Sequence, residues 1–165
     1  MRTVAADRTV VLEPGSAAAL WSDVARWATF VDGFGVLVQR RDDWPAKGGT
    51  VVWSSVPGGR GTVTEKVVES STRAFATRVF EERLTGTQRA VFTPNPGGEG
   101  AHVELSLEYE VTSQAPLRVL LDLFFVRRAV GESLRRTLHR FAIEAEDEAG
   151  LREPAAPESE SGPLR

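Results

Sequence analysis

The chain of 165 residues contains no cysteine, one methionine, one tyrosine and two histidines. Without cysteine there can be no disulfide frame, no thiolate nucleophile and no cysteine-liganded zinc. His102 falls on the polar side of its strand, and His139 lies in a charged stretch of helix. No nucleophile–base pair and no histidine-based metal cluster can be assembled from them. No apolar run reaches membrane-spanning length, and the opening residues "MRTVAADRTVVLEPG" lack the apolar core of a signal peptide, so a cytoplasmic protein is the default expectation. The formal charge of −3 gives no general attraction for nucleic acid or an anionic membrane. Lysine is scarce beside arginine, the mark of a GC-rich bacterial genome rather than of any function.

What is present is an ordinary globular composition, 41% apolar and 26% charged, enough for one sizeable core. Residues 1–150 read as a single domain. Residues 151–165, "LREPAAPESESGPLR", are Pro/Ser/Glu-rich and read as a disordered tail. No internal repeat is visible.

"RTVVLE", 8–13, reads as a short strand, and Ser16 as the N-cap of a helix in which Leu20, Val24, Trp27 and Val31 share a face. The grammar then changes to strands: 35–41, 50–56, 61–69, 73–81, 86–93 and 101–111, separated by short turn segments. Such short breaks imply antiparallel hairpins, because a parallel crossover needs a dozen or more residues. In the last strand Val103, Leu105, Leu107, Tyr109 and Val111 form a dry face against His102, Glu104, Ser106, Glu108 and Glu110. Residues 115–150 read as one long helix, with Pro116 in its first turn and Gly150 at its end. The predicted architecture is α+β: about seven antiparallel strands curved around a long C-terminal helix, with two short helices after the first strand.

The glycine-rich stretch "VPGGRGTVTEKVV", 56–68, invites a phosphate-loop reading. It lacks both the Lys and the strand-to-helix context such a loop needs, and a hairpin turn explains its glycines. "AKGGT", 46–50, fails likewise. Asp42/Asp43 and Glu81/Glu82 read as solvated surface.

Polar residues at dry positions carry more information. Glu65 alternates with Val63 and Val67; it either faces the concave side and needs a partner, or the strand has the opposite parity. Gln88 shares a face with Ala90 and Phe92 and is a candidate pocket hydrogen-bonding group. On the long helix Leu120, Leu123, Phe124, Gly131, Leu134, Leu138 and Phe141 form an apolar arc, with Arg127 in its middle and Arg128 at its margin. Arg127 either snorkels outward or reaches a carboxylate, Glu65 or an anionic ligand group. Trp53 and Tyr109 serve either as rigid pocket walls or as core. The helix arginines make membrane contact conceivable, though a solvated charged face accounts for them, and nucleic-acid binding finds no support.

In order along the chain, "VVLEPGSAAALW", "RWATFVDGFG", "GGRGTVTEKVV", "LTGTQRAVFTP" and "FFVRRAVGESLRRTLHRFA" make the sequence resemble the helix-grip superfamily of START lipid-transfer domains and birch-pollen-allergen-like proteins (SRPBCC), in its polyketide cyclase/dehydrase-like branch. The resemblance implies an internal cavity for a lipid, polyketide or other small hydrophobic molecule; the residues give no motif for a cofactor or metal, and none is expected. The ligand-binding set to test is Trp53, Glu65, Gln88, Phe92, Tyr109, Phe124 and Arg127. If the protein is an enzyme, Glu65, Arg127 and Tyr109 are the catalytic candidates for cyclising or dehydrating a polyketide. A membrane- or ribosome-associated interaction module is the third reading. Oligomeric state is not written in the sequence.

Overall fold

A computed structural model describes residues 1–112 and 119–152, with side chains throughout the first stretch and from 125 onward in the second. Pro116, the side chains of Leu120, Leu123 and Phe124, and the tail beyond residue 152 lie outside the described residues.

The elements follow in the order β1 (Arg2–Val10), α1 (Pro14–Ser22), a 3-10 turn (Val24–Arg26), α2 (Trp27–Phe30), β2 (Phe34–Arg40), β3 (Thr50–Ser55), β4 (Thr62–Ser70), β5 (Ala74–Phe80), β6 (Leu84–Pro94), β7 (Ala101–Val111) and α3 (Val119–Arg152). The strands make one antiparallel sheet in the order β1-β7-β6-β5-β4-β3-β2, and α3 lies across it. This is the α+β helix-grip arrangement expected.

Most strand ends differ from the sequence reading by one or two residues, and three boundaries differ in ways that matter. The first strand begins at Arg2 and stops at Val10, because it is an edge strand whose partner, β7, pairs with it along its whole length, from Arg2–Tyr109 to Val10–Ala101. Helix α1 starts at Pro14, whose ring suits a first helical position, with Glu13 as the preceding residue. Ser16 is therefore not a cap; its hydroxyl accepts a hydrogen bond from Arg152 at 2.7 Å. Gly150 does not end α3, which continues to Arg152 and is held there by an Arg152–Glu148 pair at 3.0 Å.

Two ionic groups fasten α3 to the short helices. Arg26 donates to Glu144 and to Glu148, tying the 3-10 turn to the last turns of α3. Asp32, just after α2, accepts from Arg136 at 3.0 Å and from Arg140 at 3.3 Å. Burial pushes the Asp32 carboxyl up, but the bonds from Arg136 and Ser133 and the charge of Arg140 outweigh it and hold the group below its usual range. Much of the arginine face of α3 is thus taken up by intramolecular pairs.

Between sheet and helices the core is strongly aromatic at one end. Trp21 meets Phe141 edge-on at 5.1 Å between centroids and Phe30 at 5.5 Å, with Phe92 at 6.3 Å on the sheet side. Trp44 bridges Trp27 and Phe75 at 5.5 Å each. These rings close off the end of the concave face that carries Phe92 and Val103.

Candidate functional site

The opposite end, where β1 begins and β7 finishes, has a different character. Antiparallel pairing puts directly opposed residues on one face of a sheet, so the register lays Arg2, Tyr109, Gly86, Val79, Glu65 and Val51 along one row of the concave side. The row beside it runs Val4, Leu107, Gln88, Thr77 and Val67. Tyr109, Glu65 and Thr77 are buried and Gln88 is half-buried. With Arg2 at the exposed end, five polar side chains therefore share two neighbouring rows of an otherwise apolar surface.

Glu65 is oriented inward because the valines on either side of it, Val63 and Val67, belong to the core. Its two carboxyl oxygens are each met by a donor. Trp53 Nε1 donates to Oε1 at 3.1 Å, and Thr77 Oγ1 donates to Oε2 at 2.6 Å. Burial nevertheless pushes the Glu65 carboxyl above the ordinary carboxylate range; Thr77, the charge of Arg60 and the Trp53 bond pull it back only partly, and Glu81 adds to the rise. Proximity to Arg127 is not among the causes, and the pairing of Arg127 with Glu65 expected as one alternative does not occur. Arg127 is exposed and borders an outer cleft instead.

The glycine stretch is the β3–β4 hairpin turn, with Gly58 and Gly61 at φ +76° and +75°, left-handed conformations that favour glycine. What the sequence reading missed is its arginine. Arg60 leans back over Trp53, 5.3 Å from the ring centroid, and forms an ion pair with Glu81. The expectation that Glu81 is solvated surface is therefore wrong: its side chain is only 5% exposed, because Arg60 supplies the charge that lets it turn inward. The one available signal was a single charge isolated among glycines.

Tyr109 presents the sharpest anomaly. Its hydroxyl is buried and has no hydrogen-bond partner among the described residues, although a buried hydroxyl normally finds one. Next to it Gly86 has no side chain, and none would fit. An added Cβ would stand 2.5 Å from Glu108 O and 3.0 Å from Tyr109 Cβ. Gly86 thus marks a close approach of β6 and β7 in this row, where any side chain would collide with the neighbouring strand. Gln88, one row away between Leu107 and Thr77, likewise makes no side-chain hydrogen bond among the described residues.

The structure therefore brings together Trp53, Glu65, Gln88 and Tyr109, with Thr77, Gly86, Arg60 and Glu81 as members the sequence reading did not pick. Phe92 is placed elsewhere, wholly buried against Trp21 in the aromatic end. The Phe124 side chain lies outside the described residues. Among the described residues no three His, Asp or Glu side chains converge as a metal-binding set, and no helix is long and apolar enough to cross a membrane.

Comparison with known proteins agrees with this geometry. Solved structures sharing the fold include a protein of Thermus thermophilus, 20% identical, with TM-score 0.67 over 90% of this chain and 99% of that one. A START superfamily protein from Mycobacterium smegmatis, 14% identical, superposes with TM-score 0.69 over 88% of this chain and 98% of its own. The di-domain ARO/CYC StfQ of the steffimycin biosynthetic pathway, 16% identical, gives TM-score 0.71 over 90% of this chain and 52% of the longer one. No curated protein sequence matches the chain. The family model described as polyketide cyclase / dehydrase and lipid transport matches residues 1–146, nearly all of the described fold. The chain belongs to the polyketide cyclase/dehydrase and lipid transport family, and it has the helix-grip fold.

Proposed function

We propose that this protein binds a small, largely apolar molecule with a polar end, held between the concave face of the sheet and α3. The observation that carries this reading is the buried Tyr109 hydroxyl, which has no hydrogen-bond partner among the described residues. A group of that kind costs about 1–3 kcal/mol while it stays unpaired, and a ligand oxygen would satisfy it. Gln88 supplies a second free polar group, and the valines and leucines of the same rows supply the apolar wall.

The test is native mass spectrometry of the protein purified under non-denaturing conditions, before and after solvent extraction. A bound mass lost on extraction, and restored by an apolar fluorescent probe, is the expected result. A protein that neither carries nor takes up any such molecule would overturn the reading. Tyr109→Phe separates the two consequences of the hydroxyl. The variant is expected to unfold at a higher denaturant concentration than the parent, since the unpaired group is gone, yet to bind the retained molecule about tenfold more weakly. Unchanged affinity would remove Tyr109 from the site.

Cyclisation or dehydration of a polyketide has one observation in its favour, the elevated Glu65 carboxyl on the same row as Tyr109. Against it, both Glu65 oxygens already accept hydrogen bonds from the protein. Binding without turnover is the reading these contacts support best.

A further inference from the structure

Resting on that reading, we propose that the polar end of the ligand is an acidic group, a carboxylate or a phosphate, and that Arg2 and Arg127 receive it. The two arginines line a cleft of about 510 Å³ together with Met1 and Thr3. Their meeting follows from how α3 crosses the edge of the sheet. Gly131 rests on Val4 so closely that an added Cβ would come within 3.3 Å of Val4 Cγ1. One helical turn back along α3, about 6 Å, is Arg127; two residues back along β1, about 6.6 Å, is Arg2.

Neither guanidinium has an ion-pair partner among the described residues, and they are the two charged side chains that line this cleft. The acids nearest in sequence to Tyr109, Glu108 and Glu110, alternate to the other side of β7 and are exposed. Two like charges at one cleft repel each other, and an anion between them removes that repulsion while accepting charge-assisted, geometrically forked hydrogen bonds. Arg2 is also the register partner of Tyr109, so the cleft adjoins the strand position that holds the unpaired hydroxyl. An acid at the arginines would leave its apolar chain to run along the concave rows toward Gln88 and Val79.

The experiment compares dansylaminoundecanoic acid with its methyl ester in fluorescence titrations of the intact protein. The acid is expected to bind at least about tenfold more tightly than the ester, with the advantage shrinking as salt shortens the range of the arginine field. Arg2→Gln and Arg127→Gln, both at exposed positions, should each weaken the acid several-fold and leave the ester unchanged. Displacement by dodecyl phosphate against dodecanoate then tells which acid the cleft prefers, and either preference supports the assignment. Equal affinity for acid and ester, or an acid preference that persists in the double variant, overturns it. If neither probe binds, the binding reading itself fails, a result distinct from equal binding of both.

Discussion

Phe141→Ala is expected to lower the unfolding free energy by about 3–5 kcal/mol, the range for truncating a fully buried phenylalanine. Phe141 has no exposed surface and stands at the point where α3, α1 and α2 meet the sheet. Its ring is edge-on to Trp21 at 5.1 Å and to Phe30 at 5.0 Å, so the substitution removes both aromatic contacts as well as the buried area. The cavity left cannot collapse easily, because Trp21 is held against Phe92 of the sheet and Phe30 sits in the short helix anchored beside Asp32. Urea unfolding of parent and variant would measure the loss. A difference below about 1 kcal/mol would mean that the aromatic end is more pliable than its packing indicates. Phe141→Leu, which refills most of the volume, should lose less than half as much.

Glu65→Leu is expected to destabilise by roughly 2–4 kcal/mol, because leucine leaves Trp53 Nε1 and Thr77 Oγ1 buried without an acceptor. Glu65→Gln should fall within about 1 kcal/mol of the parent at acidic pH. The amide oxygen keeps the Trp53 bond, and the Thr77 hydroxyl can turn to accept from the amide nitrogen. The two also differ in pH dependence. Because burial raises the Glu65 carboxyl in the folded protein above its unfolded value of 4.5, native Glu65 retains its proton where the unfolded chain has lost it. The contribution of Glu65 to stability is therefore full below pH 4.5 and is lost as pH rises through the folded value. Glu65→Gln has no proton to lose, so its stability relative to the parent should improve across that window and then level off. Parallel stability–pH curves for the two proteins would show that the carboxyl is not perturbed by burial.

How much of this was legible in the sequence depended on whether a residue's environment is set by its own strand. β7 was readable to the residue, 101–111, since five apolar side chains alternate with five polar ones and nothing interrupts the period. β1 was not. Its core-side positions are Arg2, Val4, Ala6, Arg8 and Val10, and two arginines on the inward register hide the alternation that pairing with β7 imposes. Glu65 could be singled out as a charge between valines, but only the neighbouring strands decide its surroundings. Thr77 comes from β5 and Trp53 from β3. The Arg60–Glu81 pair joins the β3–β4 turn to the end of β5, two segments whose meeting no local pattern encodes. On α3 the apolar arc located Leu134, Leu138 and Phe141 correctly in the core, yet the same wheel placed Arg127 among them. Arg127 instead is exposed and lines the cleft beside Arg2 at the edge of the sheet.

The edge position of β1 also sets a timetable. Residues 2 and 109 are ladder partners, so β1 leaves the ribosome with nothing to pair with until β7 emerges. At ordinary rates of synthesis that delay is roughly 5–20 s, long compared with the formation of the β3–β4 and β4–β5 hairpins, which need only microseconds once their residues are out. The helix must wait as well, since Gly131 is seated on Val4. β1 is thus among the last strands to find a partner, and a nascent chain halted before β7 would hold it unpaired, where a chaperone would meet it.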